Sequence, residues 1–211
     1  MGLKNESDGG GNFLQVIYGQ IVKPVQAGTE GAETRTNKKG KVVHELKFNA
    51  LEGTLKKVWV YESSEYQDSW VFVVDDGSQE YGLTVPYSSR YANGLLTRLP
   101  NVNFERPIKI KSYYIEGDDG KSRGYLTIHQ DGQKVPAYFT KEEPHGLPQM
   151  EQITVSGKQM WDDTERLKFF RDMVDNKVNP KLAELYPIDH TPDEEPETPV
   201  AEEEEVSDLP F

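Results

Sequence analysis

From Phe13 to Gln130 apolar and polar residues alternate with a period of two over most of the chain, the spacing that sends successive side chains to opposite faces of a strand. The alternation predicts strands over 13–22 (FLQVIYGQIV), 42–50 (VVHELKFNA), 54–61 (TLKKVWVY), 69–75, 80–86, 107–115 (PIKIKSYYI) and 123–130 (RGYLTIHQ). Asp75-Asp76-Gly77, Asp118-Asp119-Gly120 and Asp131-Gly132 fall between runs and predict hairpin turns, because glycine tolerates positive φ and aspartate bonds its own backbone. The period changes at 88–99, where Tyr91, Leu95 and Leu99 share a helical face after Ser88 as N-cap and before Pro100. Leu167, Phe170, Val174 and Val178 recur at spacings of three and four. They predict a helix over 161–178, opened by Asp162 or Asp163 and ended by Asn179-Pro180, with a second short helix carrying Leu182 and Leu185 before Pro187.

This order gives a mainly β fold: an OB-like antiparallel barrel of five or slightly more strands, a short helix between strands, and a C-terminal helical extension over 161–186. Residues 1–11 are Gly-rich and polar and are expected to be disordered; 12–187 form one domain; 188–211 form a disordered acidic tail.

The strand faces carry the candidate chemistry. Lys57, Trp59 and Tyr61 share one face while Val58 and Val60 share the other. Lys109, Lys111 and Tyr113 oppose Ile108 and Ile110, and Arg123, Tyr125, Thr127 and His129 oppose Leu126 and Ile128. Aliphatic residues point inward and cations mixed with aromatics point outward, on three separate strands. Such a face suits single-stranded nucleic acid, whose bases stack on aromatic rings while Lys and Arg neutralise phosphates. The alternative is that Trp59, Tyr61, Tyr113 and Tyr125 pack under a helix or in a dimer interface. Two loops add cations: Arg35, Lys38, Lys39 and Lys41 between the first two strands, and Lys121 beside Arg123. An OB barrel uses such loops and faces for oligonucleotides.

Charge sharpens the picture. The 211 residues carry a formal charge of −12, yet ten of the 36 acids and none of the 24 Lys and Arg lie in 189–211, which leaves the preceding residues at −2. The acidity belongs to the tail. No run of 18 apolar residues could span a bilayer, and no secretory signal is visible at the N-terminus, so no membrane association and a cytoplasmic location are expected. With no cysteine and four scattered histidines, no metal or other cofactor is expected.

The tail ends Glu-Glu-Glu-Glu-Val-Ser-Asp-Leu-Pro-Phe. A mobile acidic tail is drawn to basic pockets, Phe211 can fill an apolar pocket, its carboxylate can pair with an Arg, and Pro210 limits the entropy lost on binding. With this tip, the OB-like strand order and the cation and aromatic face, the chain resembles the single-stranded DNA-binding proteins of bacteria and their phages, in which an acidic run, a small apolar group, Pro and a terminal Phe are gripped by replication and repair proteins. Asp208, Leu209, Pro210 and Phe211 match that tip residue by residue, Leu209 standing for the more usual Ile. The resemblance implies a non-catalytic, sequence-independent binder and protector of single-stranded DNA in replication, recombination and repair. It also implies recruitment of a polymerase, helicase-primase or nuclease through the tip. The chain departs from the family in its longer body, in region 161–186, and in lacking the zinc-binding Cys and His cluster of some phage members. Homo-oligomerisation therefore stays open.

Three other functions compete, one of them a virion structural β-protein, which would not account for Phe211. An acidic DNA mimic or nuclease inhibitor would need carboxylates ordered on the folded surface. A Mg²⁺-dependent nuclease would need clustered acids, and Asp75, Asp76, Asp118 and Asp119, including the polymerase-like Gly-Asp-Asp of 117–119, all sit in predicted turns.

Overall fold

The computed structural model describes residues 12–37, 40–64, 67–116, 122–155 and 157–187. The chain is mainly β, as its alternation predicts. The first predicted strand is in fact a hairpin: β1 (Phe13–Ile17) and β2 (Gln20–Val25) pair antiparallel across Tyr18-Gly19, at φ 48° and 77°. Positive φ at both central residues is the type I′ geometry that matches strand twist. β3 (Glu33–Thr36) and β4 (Val42–Phe48) follow, so Arg35 stands on a strand rather than in a loop. β5 (Ala50–Tyr61), β6 (Ser69–Asp75) and β7 (Glu80–Pro86) form a meander. Helix α1 (Arg90–Leu96) and a 3₁₀ turn at Leu99–Asn101 lead to β8 (Ile108–Glu116), β9 (Ser122–Gln130) and the two-residue β10 (Gln133–Lys134).

These ten strands make one mixed sheet in the order β10-β9-β8-β5-β6-β7-β1-β2-β4-β3, with only β1 and β7 parallel. Within it β8 returns by the long connection through α1 to lie beside β5, so β8-β5-β6-β7 is a Greek key. The sheet exceeds the five or slightly more strands expected and is not closed into a barrel. The far edge of β7 is taken by β1, and the outer edge of β9 by β10 and by α1, whose Gly94 rests on Leu126. A Cβ on Gly94 would lie 2.3 Å from the Leu126 carbonyl oxygen, so only glycine permits the helix to sit there. The sheet does curl: the β1–β2 turn reaches β8 and β9, where a Cβ on Gly19 would stand 3.2 Å from the Gly124 Cα.

The curl encloses the core. Leu14, Ile21, Leu55, Val58, Trp70, Phe72, Leu83, Ile110, Leu126 and Ile128 pack with Leu95, Leu96 and Leu99 of the α1 segment. β6 is buried on both faces, since Val71 is buried opposite Trp70 and Phe72. A β-bulge between Leu55 and Lys57 lets both Leu55 and Val58 face inward.

Ser89, not Ser88, caps α1 by accepting from the Ala92 N–H. The helix predicted over 161–178 loses its first residues to a separate hairpin, β11 (Glu151–Val155) with β12 (Lys158–Asp162). α2 (Thr164–Met173) then runs through a π-helical turn at Val174–Val178 into α3 (Asn179–Leu185). Pro180 does not end the helix because the wider turn absorbs its missing N–H. Phe170, Met173, Val174, Val178 and Leu182 of this arm are buried in the core. The Asn179 side chain accepts from the Val58 N–H at 3.0 Å and donates to the Val58 carbonyl at 2.7 Å, standing in for a neighbour strand where β8 no longer pairs with β5.

Candidate nucleic-acid interface

The outer face of β8 and β9 gathers cations and rings. Antiparallel register sets Lys109 opposite His129, Lys111 opposite Thr127 and Tyr113 opposite Tyr125, while Ile108, Ile110, Leu126 and Ile128 are buried on the other face. The Tyr113 and Tyr125 rings stack at 5.1 Å between centroids and 10° between planes. The Tyr113 hydroxyl hydrogen-bonds His129 Nε2 at 3.0 Å, and the imidazole ring lies 6.2 Å from the Tyr113 ring. Lys111 Nζ stands 5.6 Å from the Tyr113 ring, and Lys134 Nζ stands 6.0 Å from that of Tyr125, both within cation–π range. Thr127, between Tyr125 and His129, is buried, and its hydroxyl has no hydrogen-bond partner among the described residues. Larger neighbours on this face close over it.

The local field is positive. Burial holds the His129 imidazole below its ordinary pKa, and Lys111, Lys134, Arg98 and Lys109 push it the same way. Arg98 reaches back from the end of α1, donating to the carbonyls of Gly94 at 2.7 Å and Val135 at 3.0 Å; its burial lowers its own pKa. One carboxylate intrudes: Glu52 of β5 pairs with Lys109 at 2.6 Å.

The other predicted residues are placed differently. Lys57, Trp59 and Tyr61 do share a face, and Trp59 meets Tyr61 edge-on with centroids 6.1 Å apart. The register sets Trp59 opposite the buried Val71, and Trp59 is itself only partly exposed, so most of its surface serves packing. Trp59 lies seven residues beyond Glu52, the partner of Lys109, or about 20 Å along the strand, so this triad forms a second patch apart from the first. Arg35 grips the buried Glu45 through two hydrogen bonds, of 2.8 and 2.5 Å, and that pairing raises the guanidinium pKa. Lys41 is exposed at the start of β4. Arg123 sits opposite Ile115 on the tyrosine strand pair, its side chain lying outside the described residues, as do Lys38, Lys39, Lys121 and the tip Asp208, Leu209, Pro210 and Phe211.

His129, Arg98 and Lys134 are the additions. His129 shares the parity of Tyr125, which was the available signal; Lys134 enters through a strand of two residues, and Arg98 through a helix end, neither of which has a period to read.

The turn acids have structural roles. Asp75 accepts from the Gly77 N–H, and Asp76 accepts from the Ser78 and Gln79 N–H groups and the Ser78 hydroxyl, bonds that lower its pKa to about 2. Asp118 and Asp119 lie outside the described residues. Among the described residues no group of three or more His, Asp or Glu is placed to hold a metal ion, and no helix is long and apolar enough to cross a membrane. Comparison with protein-family models, with curated proteins and with solved structures gives no match.

Proposed function

We propose that this chain binds single-stranded DNA without base specificity on the β8–β9 face and recruits replication, recombination or repair enzymes through its Asp208–Phe211 tip. The observation that carries the reading is the Tyr113–Tyr125 stack set among Lys109, Lys111, His129 and Lys134. Rings offer every base a stacking surface and the ammonium groups take phosphates, a pairing that needs no particular sequence. The Greek-key order of β8-β5-β6-β7, with β9 beyond it, supports an OB-like heart within the larger sheet, since OB folds are partly open five-stranded Greek-key barrels. The nuclease reading lacks such support, since among the described residues no group of three or more His, Asp or Glu is placed to hold a metal ion.

A fluorescence or gel-shift titration with oligo-dT, duplex DNA and RNA of equal length tests the reading. Oligo-dT should bind more tightly than duplex, whose paired bases hide their faces; equal or stronger duplex binding would refute it. For the tip, removing Phe211 alone should leave DNA affinity unchanged and abolish capture of replication or repair enzymes from host lysate. Identical captured proteins with and without Phe211 would leave the tip without that role.

A further inference from the structure

A cleft of about 450 Å³ lies between α1 and the arm formed by β12 and α2. Its deep residues, Leu96 and Phe170, are buried in the core, while Trp161 at its mouth is 62% exposed, the largest exposure of any tryptophan in the described chain. Met150, also lining the cleft, is exposed as well, so the mouth presents an apolar patch rather than a lone ring, the kind of surface that marks a binding site. Two guanidiniums flank the opening. Arg166 donates through Nε to the Pro148 carbonyl at 3.1 Å, which fixes its plane, and Arg90 is exposed with no ion pair among the described residues. Asp163 completes the set: one of its oxygens accepts from the Ser88 hydroxyl.

The geometry points to a site for one unpaired nucleotide, the base stacked on Trp161 and its phosphate held by Arg90 and Arg166. The free oxygen of Asp163 accepts from the amino or imino edge of the base. The volume falls in the range of small-ligand pockets, and a flat ring over an apolar floor with cations at the rim is the chemistry that takes single-stranded nucleotides. A peptide tip rich in carboxylates fits less well, because Asp163 repels it where it accepts from a base. The inference rests on the single-stranded DNA reading and deepens it. α1 borders both surfaces, Ala92 and Asn93 lining the cleft and Gly94 lying on β9, and its seven residues span only about 10 Å. A strand on the tyrosine face can therefore continue over α1 into the cleft.

The test uses the full chain carrying Trp59→Phe, which leaves Trp161 exposed and Trp70 fully buried. Titration with a 12-nucleotide mixed-sequence DNA and with 5′-dGMP should quench the Trp161 emission. In the otherwise unaltered chain Trp161→Ala should weaken binding of the 12-mer about 5- to 150-fold, the loss of one base stack. Arg90→Gln and Arg166→Gln should each lower the slope of log K against log salt by about 0.7. Undiminished binding by Trp161→Ala, in a protein whose binding does fall with Tyr125→Ala, would overturn the cleft assignment and leave the β8–β9 face standing. Absence of any binding by the unaltered chain would overturn both. Quenching of Trp161 by a Glu-Val-Ser-Asp-Leu-Pro-Phe peptide but not by DNA would overturn the nucleotide site in favour of a peptide one.

Discussion

Tyr113 and Tyr125 should behave as a single platform. Their rings are nearly parallel at 5.1 Å, so each covers one face of the other, and a base can reach only the outside of the pair. Tyr125→Ala removes one base stack, worth about 1–3 kcal/mol, and also the ring pairing that orients Tyr113, worth about 0.5–1.5 kcal/mol. The two sum to about 1.5–4.5 kcal/mol, so either single alanine variant should weaken oligo-dT binding at least about 10-fold and at most about 2,000-fold, and the double variant should lose only a few-fold more. Tyr113→Phe keeps the ring and loses only the hydroxyl's bond to His129, so its effect should stay within about threefold. Anisotropy titrations of a labelled oligo-dT at one fixed salt concentration measure all four, with urea unfolding of each variant to show that the sheet is intact. Losses below twofold in both single variants would remove the rings from the interface. A double-variant loss equal to the sum of the singles in log K would show two independent rings rather than a platform.

Glu52→Gln should tighten DNA binding a few-fold, most at low salt, because it frees Lys109 from its 2.6 Å carboxylate partner; an unchanged affinity would mean that Lys109 meets no phosphate. Asn179→Ala should destabilise the protein by about 2–4 kcal/mol in urea unfolding, since it orphans both the N–H and the carbonyl of Val58, and a loss under 0.5 kcal/mol would mean water replaces the carboxamide freely. The free protein should lose stability as pH falls below the ordinary imidazole range. The lowered His129 pKa means the unfolded chain binds that proton first, and His129→Gln should flatten the effect in thermal melts. DNA should tighten as pH falls through the same range, because phosphate offsets the cations around His129 and raises its pKa; a pH-independent affinity would take His129 out of the interface.

The parity of β8 and β9 was legible because one face is buried: with Ile108, Ile110, Leu126 and Ile128 inside, a period of two leaves Lys109, Lys111, Tyr113, Tyr125 and His129 no other side. The β1–β2 turn was not legible, since Tyr18 adopts φ 48° without being a turn former and the apolar alternation runs through it unbroken. The fate of Arg35 was hidden for another reason. Its pairing with Glu45 depends on β3 lying beside β4 in one register, and a strand of four residues carrying Glu, Thr, Arg and Thr shows no hydrophobic period. The apolar spacing of 167–178 carries no signal for where the helix begins, so a helix drawn from 161 takes in Trp161, which instead pairs with Gln152 in an exposed hairpin. Local patterns reported faces; what they missed were contacts fixed by register between distant segments.

How the fold treats its strand edges narrows the ways a ligand can meet it. β7 is bordered by β1, the inner part of β5 by β8 and its outer part by the Asn179 carboxamide, and β9 by β10 and the backbone of α1 at Gly94. The strands that do end the sheet, β3 and β10, have four and two residues. Apart from the separate β11–β12 hairpin, whose two strands of five residues pair only with each other, little free backbone is left to accept an added strand, so recognition by β-augmentation has almost nowhere to occur on the ten-stranded sheet. A ligand must meet side chains instead, and on β8 and β9 those are stacked tyrosines and cations around a neutral imidazole. Such a surface discriminates by ring access and charge rather than by a hydrogen-bond code, which is the discrimination that separates an unpaired strand from a paired one.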